Sequence, residues 1–129
     1  MVSQWRLKLL NKCIGIIGSR ERDARKDFEK IWCVFKKVYK KGDWITSGGC
    51  PRGGDRFAEK VARHCGCTII IHHADWKTHK KSAGFVRNTL IANHADILIA
   101  CVSPIRKGGT EDTITKFKKA RGESNLYIV

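Results

Sequence analysis

No apolar run in the 129-residue chain reaches the roughly 18 residues that a bilayer-spanning helix needs. The opening residues, Met1-Val-Ser-Gln-Trp-Arg6, carry no apolar core followed by a small-residue cleavage site, so no secretory signal is expected. Proline is scarce, two residues against 12 glycines, and the composition is neither collagenous nor that of a disordered chain. Acidic residues are also few. Twelve Asp and Glu stand against 26 Lys and Arg, a formal net charge of +14. Two nucleotide signatures are missing. There is no Gly-x-x-x-x-Gly-Lys-Ser/Thr, and no Gly-x-Gly-x-x-Gly after the first predicted strand, which excludes a P-loop and the standard dinucleotide fingerprint.

What is present fits one domain with a single core over 1–129, preceded by a short extension over 1–12. Four of the six cysteines, Cys13, Cys33, Cys65 and Cys101, fall in apolar or helical stretches. Without an export signal they read as reduced, buried thiols of a cytoplasmic protein. His64-Cys65-Gly66-Cys67, with His72 and His73 nearby, lacks the paired Cys-x-x-Cys spacing of a zinc site, and no metal is expected. The basic surplus favours polyanions and phosphorylated ligands without saying which, and much of it is explained by solvated helix faces.

Strand and helix patterns alternate along the chain. Cys13-Ile-Gly-Ile-Ile17 is a short apolar run. Phe28, Ile31, Trp32, Phe35, Val38 and Tyr39 follow at helical spacing. Trp44-Ile-Thr46 is a second strand, and Ala58, Val61, Ala62 and Cys65 mark the buried face of a second helix. Thr68-Ile-Ile-Ile71 reads as a third strand, covered on both faces. A helix over 83–93 buries Val86, Leu90 and Ile91, a fourth strand runs over 95–102, a last helix carries Ile114, Phe117 and Ala120, and a fifth strand closes over 126–129. Such alternation predicts right-handed crossovers and a Rossmann-like, doubly wound parallel sheet of five strands, order 3-2-1-4-5, with helices on both faces. The aromatic face over 28–39 exceeds what one sheet needs, which leaves a homodimer or higher oligomer as a partner state.

Ligands of such sheets bind at the carboxyl ends of the strands, where strand order reverses. There the sequence places Gly18-Ser19-Arg20 after strand one. Ser47-Gly48-Gly49-Cys-Pro-Arg-Gly53-Gly54-Asp55 follows strand two, and Gly108-Gly109-Thr110 follows strand four. One glycine loop explains itself as a turn. Three on one sheet edge point to a site where backbone approaches a phosphorylated ligand.

These segments, together with Ala74-Asp-Trp76, Ala83-Gly-Phe-Val-Arg87-Asn88, Ala95-Asp96 and Glu111-Asp112, occur in an order that resembles the YspA-like branch of the SLOG superfamily. That superfamily is named for the Smf DNA-processing proteins and the Lonely Guy enzymes. The likeness runs from about Cys13 to the C-terminus. It implies a Rossmann-like domain that takes a nucleotide or nucleotide derivative as its ligand, either as a sensor or binder or as a phosphoribohydrolase. The Lonely Guy motif reads Pro-Gly-Gly-x-Gly-Thr-x-Glu-Glu. Here the glycine run is shorter and the proline is missing, Asp112 stands in the place of the first glutamate, and Thr113 in that of the second.

Arg20 either grips a phosphate as a fork or pairs with Glu21 or Asp23. Asp55 caps its helix or touches a ribose hydroxyl. Arg87 and Asn88 contact phosphate or base, or form a polar helix face. Trp76 stacks on a base or merely packs, and Lys80 and Lys81 add positive field or are solvated. Glu111 and Asp112 would be the catalytic acids of an enzyme cleaving a nucleoside monophosphate or an ADP-ribose-like molecule. Otherwise they sit in a first helical turn favoured by its dipole. The leading expectation is a nucleotide-binding protein with no certain cofactor and no membrane partner. The rivals are that N-glycosidic hydrolase and a nucleic-acid-binding protein that uses its basic surface.

Overall fold

Five short β-rich runs make one parallel sheet in the computed structural model, which describes residues 11–129. The extension over 1–12 therefore lies, up to residue 10, outside the described residues. The strands are β1 (Cys13–Gly18), β2 (Trp44–Gly48), β3 (Ile69–His72), β4 (Ile97–Cys101) and β5 (Leu126–Ile128). They lie in the expected order 3-2-1-4-5, every pair parallel. The connections are α1 (Arg25–Val38), α2 (Gly54–Cys65), a single-turn α3 (Trp76–His79), a 3-10 turn (Lys80–Ser82), α4 (Ala83–His94) and α5 (Gly109–Arg121).

Helices cover both faces. Ile31 and Phe35 of α1 and Phe57, Ala58 and Val61 of α2 pack against Ile14, Ile16, Ile45 and Ile99. On the other face Ile91 and Ala92 of α4 and Ile114 and Phe117 of α5 cover Ile17, Leu98 and Ala100. Phe35, Phe57 and Phe117 are completely enclosed, and burial of each contributes about 1.5–3 kcal/mol. No helix among the described residues is long and apolar enough to cross a membrane.

Four sequence expectations need correction. β3 stands at the sheet edge, as the expected order requires, but it is not covered on both faces, since its Ile70 is 43% exposed. An unbroken apolar run cannot distinguish an edge from a centre. Leu90 is exposed and Asn88 is buried in its place. Residues 88, 91 and 92 share the inward face of α4, and position 90 lies about 200° from 88. Cys33 is exposed for the same reason, two positions from the inward Ile31. Asp55 does not cap α2: the cap position is Gly53, which supplies no side chain.

All six cysteines are free thiols. Burial, followed by the nearby Asp96 carboxylate, pushes the Cys13 thiol up to about 12, which leaves it an inert core group.

Asp43 closes the entry to β2. Its carboxylate accepts hydrogen bonds from the amides of Lys12 and Lys40 and from Lys12 Nζ. Burial alone would raise its pKa, but these bonds prevail and hold it below the ordinary value. A depressed carboxyl stabilises the fold above its unfolded pKa, and that stability is lost as pH falls through the folded value. Stability of the parent is therefore expected to drop from about pH 4 downward. Asp43→Asn should be less stable at neutral pH and lose less on acidification. Urea unfolding between pH 3 and 7 checks this, and parallel curves for the two proteins would refute it.

Candidate functional site

The loops after β1 and β2 are locked together by missing side chains. A Cβ on Gly54 would lie 2.2 Å from both Gly18 N and Ile17 C, which is backbone that cannot yield. Gly53 has φ +74°, and its Cβ would sit 2.3 Å from the Ser19 carbonyl oxygen. The Gly53 amide donates to Asp23 Oδ1, which also accepts from Arg56 Nε. That amide, and then Arg56, hold the Asp23 carboxyl below its usual range. Ser19 N donates in turn to the Cys101 carbonyl at the end of β4. The crowding glycines thus pack loop against loop.

Around this junction the three loops meet in a cleft of about 360 Å³. Gly18, Ser19 and Arg20 line one side, and Gly109, Thr110 and Glu111 the other. Asp55, Arg87 and Asn88 also reach the lining. Ser47, Gly48, Gly49, Gly53 and Gly54 form the layer behind it. Ser47 Oγ shares its single proton between the Ile16 carbonyl and Asp55 Oδ1, and a Cβ on Gly49 would strike the His73 ring. Gly108 precedes the lining as the cap residue of α5. Trp76 is 61% exposed, beside Gly84 on α3, and does not line the cleft. Neither do Lys80 and Lys81.

Three cations, Arg20, Arg87 and Lys107, and three acids, Glu21, Asp55 and Glu111, line the cleft. Among the described residues no carboxylate lies within 4 Å of the cations of Arg20, Arg87 or Lys107, all of which line the cleft. Arg20 pairs with neither Glu21 nor Asp23. Arg87 is half-buried, and its Nε donates to Asn88 Oδ1 at 2.9 Å. The first turn of α5 borders the same space and has no side-chain cap, so its leading amides point outward without intrahelical partners.

Of the acids there, Glu21 has no ion-pair partner among the described residues, and the others are engaged. Glu111 holds Arg106 through two contacts, 2.7 and 3.0 Å. Asp112 turns behind the lining, where its Oδ2 accepts from Asn88 Nδ2 and Lys116 Nζ. Asp55 is the buried acid. It accepts from Ser47 Oγ and the Cys50 amide, and Arg87 stands across Gly48 from it. Burial pushes its carboxyl above the ordinary range, against the Cys50 amide and the Arg87 charge.

Cys50, Ser103 and Lys107 line the cleft without having been singled out in the sequence. Lys107 had a signal, its place directly before the third glycine pair. Cys50 and Ser103 had none beyond membership of a loop. No cluster of three or more His, Cys, Asp or Glu side chains suited to a metal ion occurs among the described residues. Comparison with protein-family models, curated proteins and solved structures finds no match for the chain.

Proposed function

We propose that this protein binds a nucleotide or other phosphorylated nucleotide derivative in the cleft above β1, β2 and β4, as a SLOG-like sensor or binding protein. One observation carries the reading. Arg20, Arg87 and Lys107 line one cleft with the uncapped start of α5, and none has a carboxylate within 4 Å among the described residues. Unneutralised cations beside a helix N-terminus suit a phosphate, which supplies the missing acceptors. Asp55, in the same lining, keeps lone pairs that can accept from a ribose hydroxyl.

The ion pairs speak against Glu111 and Asp112 as hydrolytic acids. A carboxylate that stabilises an oxocarbenium-like state must face the sugar with its charge available. Glu111 is committed to Arg106, and Asp112 to Lys116 and Asn88. Thermal-shift titration with nucleoside mono- and diphosphates, cyclic nucleotides, NAD and ADP-ribose is expected to raise the melting temperature for at least one. Chromatography of the same mixtures after hours at high protein concentration is expected to show no free base. Base release that is lost in Glu111→Gln would establish the hydrolase instead. No thermal shift with any of these compounds would remove the binding proposal.

A further inference from the structure

A second basic feature lies outside the cleft, in the groove between α1 and α2. A hollow of about 430 Å³ opens between the helices, a second of about 480 Å³ is lined by α2 alone, and Arg56, Lys60 and His64 border both. Arg56, Lys60 and Arg63 recur at i, i+4 and i+7, one stripe along α2 that covers about 10 Å.

The cations are unevenly neutralised. Glu29 faces the groove from α1 but pairs with Arg25 at 3.2 Å. Asp23, at the groove's upper end, takes Arg56. Lys60 and Arg63 have no carboxylate within 4 Å among the described residues. Lys60 Nζ instead rests 4.4 Å above the Phe28 ring. Phe28 stacks on Trp32, and the exposed His64 ring lies 5.9 Å from Trp32. The groove therefore combines a line of available positive charge with aromatic rings, one of them open to solvent.

We infer that the α1–α2 groove is a docking track for single-stranded nucleic acid, with Lys60 and Arg63 following the phosphodiester backbone and His64 stacking on a base. A strand is favoured over a duplex because only a strand frees its base faces for the rings. Backbone tracking by cations with sequence-tolerant stacking predicts little sequence preference and a steep dependence on salt. The inference is independent of what the cleft binds.

Fluorescence anisotropy of the full chain with labelled oligo-dT and oligo-U, across a salt series, tests it. DNA and RNA strands are separate arms, and tighter binding of either one supports the track. Each cation removed should reduce the slope of log affinity against log salt by about 0.7. Lys60→Gln/Arg63→Gln should therefore lower it by about 1.4, and Arg63→Gln alone by half of that. His64→Ala should weaken binding about tenfold with the slope unchanged, since stacking releases no counterion. Lys118→Gln/Lys119→Gln on α5 removes equal charge elsewhere and should leave affinity nearly intact. Equal losses from both double variants would overturn the track in favour of diffuse attraction. Preference for a duplex, or no binding at low salt, would also overturn it.

Discussion

Gly54→Ala is expected to lower the unfolding free energy by about 3 kcal/mol or more, near the top of what overpacking costs. The added methyl would fall 2.2 Å from Gly18 N and Ile17 C, so relief requires β1 and the start of α2 to separate. For a chain of this size the melting temperature should fall by roughly 10 °C. Two companions isolate the cause. Gly109→Ala adds a methyl whose nearest neighbour is Asn88 Nδ2 at 3.8 Å, and it should change stability by no more than about 0.5 kcal/mol. Gly66→Ala meets no atom within 4 Å but must hold φ near +64°, at a cost of about 1 kcal/mol. Differential scanning calorimetry of the three variants gives the ranking. If Gly54→Ala melts with Gly109→Ala, the loops do not interlock as described.

Arg87→Ala should weaken nucleotide binding about ten- to hundredfold, the loss of a charge-assisted hydrogen bond worth roughly 1.5–3 kcal/mol. Arg87 is the half-buried cation of the cleft, so its interaction with phosphate is screened less than that of the exposed Arg20. Arg20→Ala should cost less for that reason. Removing the guanidinium also takes away a charge that opposes burial in setting the Asp55 pKa. Arg87→Lys keeps the charge, loses the fork and should fall between parent and Ala. Lys119→Ala, on the exposed side of α5, should match the parent. Titration calorimetry with the nucleotide giving the largest thermal shift measures all four. Equal losses for Arg87→Ala and Lys119→Ala would mean general attraction to a basic protein, not a defined phosphate position.

The sheet was legible because its strands are short β-branched runs, each followed by glycine or a polar turn. Ile14, Ile45 and Leu98 fall where periodicity places them, and parallel polarity alone brings the three loops to one edge. Burial of single helix positions was less legible. Leu90 and Cys33 each fall on the outward side of their helix, which hydrophobic character alone does not reveal. The ion pairs were not legible. Whether Glu111 faces a ligand or Arg106 depends on the path of residues 103–108, which no spacing rule encodes. The glycines were visible, but the contacts that require them were not, since Gly54 meets residues 36 and more positions earlier in the chain.

That interlock bears on how a ligand would enter and leave. The walls from the first two glycine loops form one pre-set piece, tied by Gly53, Gly54 and Asp23, so little ordering entropy is spent there on association. Adjustment to ligands of different length falls to the opposite wall, residues 103–108, where Gly108 has open space around it. Related ligands should therefore arrive at similar rates and differ mainly in residence time, as is usual for a preorganised surface.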